Sequence, residues 1–273
     1  MRAARIEEIL RSGRMQTIVD MMKLQHDELS VPARSLVPLL KNLSIGDPAA
    51  EKARRMLLAW DYVLDADSIP ASIYVSWERR LSGNVRDLLV PENARRFFGS
   101  LNLMRLIDWL SAPNGRFGKD PIAGRDALLI KSLTEAIGDL NRKLGTDVNQ
   151  WQYGQEKFKH VLLHHPLSAA VSLEIRAKLD VGPLPRGGYA ATVNSTGATD
   201  NQTSGASFRI IADTENWDNS IGTNTPGQSG DPDNSHYRDL FELWAKGKYF
   251  PIFYTRAKVE SVAEAKLLLE PAK

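Results

Sequence analysis

The spacing of apolar positions changes character partway along the chain. Up to about residue 157, apolar residues recur every three or four positions, the interval that lines one face of an α-helix. Met15, Ile18, Val19, Met22 and Leu29 form one stripe, and Met56, Leu57, Trp60, Val63 and Leu64 form a second after the Gly46-Asp47-Pro48 break. Ile73, Trp77, Leu81, Val85 and Leu88 make a third. Leu129, Leu133, Ile137, Leu140 and Leu144 make a fourth, with Gly145 placed to end it in a left-handed conformation. Pro113-Asn114-Gly115 and Asp120-Pro121 punctuate the interval as loops. Charged residues opposite each stripe make helix-on-helix packing the expected role.

From residue 158 onward the pattern is one of short extended runs between turn residues. Residues 158–163, 190–193 and 207–212 read as strands, with Phe208, Ile210 and Ala212 alternating to one face. Gly182-Pro183-Leu184-Pro185, Gly187-Gly188 and the polar stretches 194–205 and 216–234 read as loops. Thr255 is placed to cap a closing helix with Val259, Val262 and Ala263 facing inward. About five helices, then a few strands, then one helix is the order of an α+β chain, divided into a helical region at 1–157 and a strand-bearing region at 158–273. Three or four short strands leave backbone N–H and C=O groups unpaired at their edges. Part of the fold is therefore expected from outside this chain.

Composition changes this picture mainly by exclusion. The 273 residues carry 35 Lys+Arg against 33 Asp+Glu, a net charge of +2, and no cysteine. Without cysteine there is no disulfide framework, thiolate metal site or cysteine nucleophile. Mixed charges of nearly equal number provide no basic stripe to neutralise phosphates, so nucleic acid is not an expected partner. No run of about 18 apolar residues approaches a membrane span. The start, Met-Arg-Ala-Ala-Arg-Ile-Glu-Glu, is charged where a signal peptide has an apolar core.

Local chemistry is sparse. His160 and His164 have the spacing of a metal pair on a helix, but Val161, Leu162 and Leu163 between them favour a strand and Pro166 follows, so packing or hydrogen bonding at a strand end is expected instead. Asp231, Asp233, Ser235 and Glu242 imitate the oxygen ligands of a calcium loop. His236, however, stands where that loop needs glycine, and a helix over 237–244 capped by Ser235 or Asp233 is the better reading. Ser229, in Gly227-Gln228-Ser229-Gly230, lacks the spacing of a nucleophile elbow and reads as a turn residue. No phosphate-loop or dinucleotide fingerprint is present.

Several longer blocks, in order, resemble the C-terminal part of the large (β) chain of the penicillin acylase family. They are Arg2-Ala3-Ala4-Arg5-Ile6-Glu7-Glu8-Ile9-Leu10, Met22-Lys23-Leu24-Gln25-His26-Asp27 to Pro38-Leu39-Leu40, and Leu58-Ala59-Trp60-Asp61. Trp151-Gln152-Tyr153-Gly154, His165-Pro166-Leu167, and Gly187-Gly188 before Ala191-Thr192-Val193-Asn194 follow. Ser207-Phe208-Arg209-Ile210-Ile211-Ala212-Asp213, Pro226-Gly227-Gln228-Ser229-Gly230, Ser235-His236-Tyr237 and Leu243-Trp244-Ala245-Lys246-Gly247 are similar to its closing strands and helix. The chain departs from the family pattern at Tyr189, after the double glycine, and at Leu240-Phe241, after Arg238-Asp239, positions that concern substrate shape more than reaction.

The resemblance implies an N-terminal-nucleophile hydrolase, an αββα sandwich matured by self-cleavage, whose N-terminal serine attacks a linear amide while its own α-amine acts as base. It implies that the nucleophile, the oxyanion asparagine and any calcium ligands precede Met1, so this chain holds no nucleophile, metal or cofactor of its own and is inactive alone. Arg2 would carry over as a supporting residue near the oxyanion site; substrate-binding residues stay unassigned. The implied partners are an upstream α chain, the N-terminal part of the β chain and a small-molecule amide, in a periplasmic or secreted enzyme. An acyl-homoserine lactone or other lipid-amide acylase is the alternative substrate class. A non-catalytic helical interaction module or relic is the alternative of another kind.

Overall fold

The computed structural model describes residues 1–99 and 101–271. Side-chain caps decide where its longer helices begin. Asp47, Ser68 and Asp120 accept hydrogen bonds from the backbone N–H groups of Ala50, Ala71 and Ala123, at 2.7, 3.2 and 3.0 Å. Each is followed within two residues by a proline, whose missing N–H would have no partner in a first turn anyway. These caps open α4 (Pro48–Leu58), α5 (Ile69–Leu89) and α7 (Pro121–Leu144), the sequence-order companions of α1 (Arg2–Leu10), α2 (Ile18–Gln25), α3 (Val31–Leu36) and α6 (Leu103–Ser111). Gly145 ends α7 at a φ of +91°, the positive value expected there. Strands then alternate with short helices: β1 (His160–Leu163), α8 (Leu173–Leu179), β2 (Val181–Pro185), β3 (Arg209–Ile211), β4 (Ile221–Thr223), α9 (Phe241–Ala245), β5 (Phe250–Pro251) and α10 (Arg256–Val262). The class is α+β.

Among the described residues, helices α1 to α7 lie before residue 145 and all five strands after residue 159, but the chain packs as two compact units built from alternating stretches. The first comprises Met1–Arg14, Leu24–Leu163 and Gly182–Gly205; the second comprises Met15–Lys23, His164–Val181 and Ala206–Lys273.

The first unit holds the large core. Helices α5 and α7 are its most extensively packed pair, and they bury Trp77, Leu81 and Val85 against Leu129, Leu133 and Leu140, with Leu36, Leu40 and Leu57 joining from α3, the turn after it and α4. Each such side chain contributes roughly 1.5–3 kcal/mol by leaving water. The indole of Trp77 also donates to the Leu129 carbonyl at 3.3 Å, so the core's largest group is satisfied as well as buried. Strands β1 and β2 pair at the edge of this unit.

The second helical stripe is interrupted. Helix α4 stops at Leu58, Tyr62 sits at a φ of +67°, and Val63 forms an antiparallel bridge with Leu29, which removes Trp60, Val63, Leu64 and Leu29 from helices. The cause is local. Asp61 accepts a hydrogen bond from Val63 N–H at 3.0 Å and Asp27 accepts one from Leu29 N–H at 3.1 Å, two Asx turns that offer the backbone an alternative to the helix. Residues 190–193 likewise form no strand, because the Thr192 hydroxyl accepts from Tyr189 N–H at 2.8 Å and donates to the Asn194 carbonyl at 2.7 Å.

The second unit has a three-stranded antiparallel sheet in the order β3-β4-β5, with Arg209 opposite Thr223 and Ile211 opposite Ile221. The alternation expected in β3 is present, but its buried row is Arg209 and Ile211, whereas Phe208 and Ile210 are 52% and 48% exposed. In place of a helix over 237–244 there is a turn at Ser235–Tyr237 capped by Asn234, then the short α9. Thr255 does cap α10, yet Val259, Val262 and Ala263 face solvent: the helix is held by its first turn, where Asp218 accepts from the N–H groups of Tyr254 and Thr255, each at 2.8 Å.

Candidate functional site

The extended segment between α2 and α3 presents two adjacent carboxylates. Asp27 accepts two hydrogen bonds from the Arg5 guanidinium of α1, at 3.0 and 2.7 Å. Glu28 accepts from Asn194 Nδ2 at 2.8 Å, while its carbonyl accepts from Leu64 N–H at 3.0 Å. The double glycine makes this approach possible. A Cβ on Gly187 would lie 2.1 Å from a Glu28 carboxylate oxygen, and Gly188, at a φ of +71°, would place one 2.3 Å from the Asn194 carbonyl.

Segments far apart in sequence close around the same point. The Tyr153 hydroxyl donates to the Gly188 carbonyl at 2.8 Å, Gly188 N–H donates to Leu64 O at 2.8 Å, and Asn194 N–H donates to Asp27 O at 2.9 Å. Arg186 Nε donates to Gln202 at 2.8 Å in the same buried layer. Burial pushes the Glu28 carboxyl up to about 7, against the pull of Asn194 and the Arg186 charge.

A second polar group lies on α5 and α7. Arg79 donates to Asp200 at 2.8 Å and to the Ala198 carbonyl at 2.6 Å, and Lys143 also pairs with Asp200. Lys159, 1% exposed, gives its ammonium protons to three carbonyls, Thr196, Gly197 and Thr199, at 2.8, 3.0 and 2.7 Å. Burial and the nearby Arg79 charge draw it down to about 7. Glu78, hydrogen-bonded by the Tyr74 hydroxyl, is raised by burial to about 7. A pocket of about 560 Å³ opens beside these groups, between Glu78, Arg79, Arg86, Leu101, Tyr189 and Ala191. The arrangement supplies protonatable carboxyls, a held guanidinium and fixed amides. Among the described residues it includes no cluster of His, Asp and Glu able to hold a metal ion.

Arg2 occupies the first position of α1 and is exposed. The arginine of that helix with a built environment is Arg5. His160 lies in β1, while His164 and His165 meet Asp180 in the second unit: His164 Nδ1 is 2.8 Å from its carboxylate and His165 N–H donates to it at 2.9 Å. Burial opposes ionisation of Asp180, but the Ser168 hydroxyl and these two histidines bring it to about 2. The calcium-like acidic run is used internally, since Asp231 accepts from Asp233 N–H at 3.0 Å and Asp233 pairs with Lys178 at 3.0 Å. Ser229 accepts from Asp231 N–H at 3.1 Å, as a turn residue does. Sequence reasoning missed Glu28, Lys159 and Asp200. Lys159 alone left a visible signal, a charge inside an apolar run.

The fold is that of solved acylases: penicillin G acylase from Alcaligenes faecalis aligns with a TM-score of 0.56 and 16% identity over 98% of this chain and 53% of that one. The model of the penicillin amidase family matches residues 1–261, and the chain belongs to that family. It is 24% identical, over its whole length, to an acyl-homoserine lactone acylase of Pseudomonas aeruginosa, of which it covers 37%. It is 29% identical over 99% of its length to a penicillin acylase 2 proenzyme of a Pseudomonas strain, of which it covers 35%. The chain thus spans about a third of the length of these curated relatives. No described helix is long and apolar enough to cross a membrane.

Proposed function

We propose that this chain is the C-terminal portion of an acylase that hydrolyses a linear amide, releasing an acyl group from an amine. The observation that carries the reading is spatial. Blocks resembling the family at residues 22–27, 151–154, 187–188 and 191–194 are separated by up to about 170 positions, yet they meet around Glu28 and Asn194. Family membership over residues 1–261 supports it. The nucleophile is an N-terminal serine of the preceding segment; an α-amine with a pKa near 8 takes its proton at neutral pH, and backbone N–H groups with an asparagine amide stabilise the oxyanion. Calcium ligands belong to that preceding segment, and the enzyme works in the periplasm or outside the cell.

Arg2 is the supporting residue transferred by resemblance, and Arg5, tied to Asp27, is its better-held neighbour on the same helix. Arg5→Gln is expected to lower kcat more than Arg2→Gln; the reverse order assigns the role to Arg2. Exposed apolar rows on β3 and α10 serve as contact surface for the preceding part of the same enzyme, consistent with a chain that spans about a third of its relatives.

The β-lactam and acyl-homoserine lactone readings share this chemistry. Relatives of both kinds match nearly the whole of this chain, at 24% identity for the Pseudomonas aeruginosa acyl-homoserine lactone acylase and 29% for the penicillin acylase 2 proenzyme, so the substrate panel separates the two readings. The test is to express the 273 residues alone and together with whatever reading frame precedes them, and to assay a phenylacetyl anilide, a penicillin and N-acyl-homoserine lactones of several chain lengths. Activity is expected only from the longer product. Hydrolysis by the 273 residues alone overturns the division of labour, and an inert matured enzyme overturns the acylase reading in favour of a non-catalytic interaction module.

A further inference from the structure

One face of α5 looks onto empty space. A Cβ added to Gly83 would meet nothing within 4 Å, and the pocket of about 560 Å³ lies along this helix, walled by Gly83, Leu101, Leu103 and Ala191 and lined also by Glu78 and Tyr189. The volume suits a small ligand, and most of the wall is apolar.

The cations at its rim are already engaged. Arg79 donates to Asp200 and the Ala198 carbonyl, and Arg86 donates twice to Asp87, at 3.0 and 2.9 Å. Glu78 and Tyr189 are not. Glu78, 7% exposed, takes the Tyr74 proton on Oε2. Its Oε1 meets no donor among the described residues and is not sealed from solvent, so it opens to the pocket that the residue lines. The Tyr189 hydroxyl, 3.5 Å from Arg79 Nε, has no acceptor for its own proton among the described residues. Polar atoms so enclosed lack a hydrogen bond that water would give them.

Burial holds the Glu78 carboxyl at about 7, so below neutrality it carries a proton. With Oε2 occupied by Tyr74, that proton belongs on Oε1. The groups that face Glu78 are Tyr74 and Arg79 of α5, Tyr153 and Tyr189; Arg79 is the one charge among them, and it favours the ionised form less than burial opposes it. Two O–H donors without acceptors therefore stand in one mainly apolar pocket.

We propose that this pocket is a binding site for a neutral amide with a short apolar chain, its carbonyl oxygen held by Glu78 and Tyr189. A carbonyl oxygen has two lone pairs and accepts both protons. The chain lies over Gly83, between Leu101, Leu103 and Ala191. A carboxylate would be buried without a cation of its own, since Arg79 is given to Asp200 and Arg86 to Asp87, and an ammonium adds donors to a site that already has them. No residue of this pocket is assigned to the cleavage step, so the site goes beyond the acylase reading.

The test is a ligand-observed NMR titration of the protein, produced with whatever precedes it in its gene, against hexanamide, hexanoate and hexylamine, which share a tail and differ in head group. At pH 6 hexanamide is expected to bind at least about tenfold more tightly than the other two. Its affinity should fall about tenfold between pH 6 and pH 8 as Glu78 gives up the proton, because the carboxyl donates to the ligand only when neutral. Glu78→Gln keeps an N–H donor on the pocket side and should bind hexanamide equally at both pH values. Tyr189→Phe should weaken it about three- to tenfold. Gly83→Leu fills the space with a helix-favouring side chain, so it should weaken binding at least about tenfold while thermal melting stays level or rises. An amide held at a hydrolytic centre would ignore both Gly83→Leu and the Glu78 proton, so the site and the acylase reading fail separately. Hexanoate or hexylamine binding as tightly as hexanamide, an affinity indifferent to Gly83→Leu, or a pH dependence that persists in Glu78→Gln overturns the site.

Discussion

The two compact units solve the burial problem differently. In the first, Trp77, Tyr74, Leu36, Leu57 and Leu81 are fully enclosed, and several of the polar groups that enter the interior are partnered across long sequence separations, as Asn194 is with Glu28. In the second, Ile211, Tyr237, Phe241 and Trp244 form a thin core, while Met15, Leu173, Phe208, Trp217 and Tyr254 are half or more exposed. The contrast lies in the interiors: the first unit's is large and closed by its own residues and the second's is thin, while both leave large apolar side chains exposed, Phe97 and Ile122 among them in the first.

Replacing the centre of the closed core should have the largest effect. Trp77→Ala removes a fully buried side chain and its bond to Leu129, and is expected to cost about 3–5 kcal/mol in chemical unfolding. A loss below about 1 kcal/mol would show that this core is no tighter than the second unit's. Gly187→Ala comes next: the new Cβ must displace the Glu28 carboxylate from 2.1 Å, at about 1–3 kcal/mol by the same measurement.

Glu78 gives a pH test of the enclosed interior. Burial raises its carboxyl from 4.5 to about 7, so between those values the folded chain holds a proton that the unfolded chain releases. Stability from this group is therefore present at low pH and declines as pH rises through that window, by at most about 1.4 kcal/mol per pH unit. Denaturant titrations at pH 5, 6 and 7 should show a shallower decline in Glu78→Gln. An unaltered slope would mean that Glu78 is not enclosed.

The smallest effect is expected on the open unit. Ile210→Thr should change the stability of the 273-residue chain by no more than about 0.5 kcal/mol, because that side chain is already half in water. It should nevertheless reduce self-association in sedimentation. A loss as large as that of Gly187→Ala would erase the distinction between the two regions.

Sequence pattern read the helices well where one face meets one core. The Ile73-Trp77-Leu81-Val85 and Leu129-Leu133-Ile137-Leu140 positions are buried as expected, although the last members of the two stripes are not, Leu88 being 50% exposed and Leu144 half-buried, and the turn of the chain at Gly145 follows from its glycine. It failed where short polar side chains redirect the backbone, as Asp61 does after α4 and Thr192 does within 190–193. It also failed on direction: alternation in β3 was legible, but nothing in Phe208-Arg209-Ile210 says that the arginine is enclosed and the phenylalanine is not. The polar centre was visible only as blocks of residues. That Glu28 completes it depends on contacts spanning 166 positions, which no local window contains.

The Lys159 ammonium fills its loop as a bound cation would, except that it cannot leave. Three carbonyls of residues 196–199 converge on its ammonium much as they would on a dissolved cation, but the charge arrives on a side chain anchored beside β1. A loop organised in this way cannot be emptied by dialysis or a chelator. Its filling can be discharged only by taking away a proton, and because burial and the Arg79 charge draw that ammonium down to about 7, the charge held in this loop is governed by pH near neutrality and not by dilution.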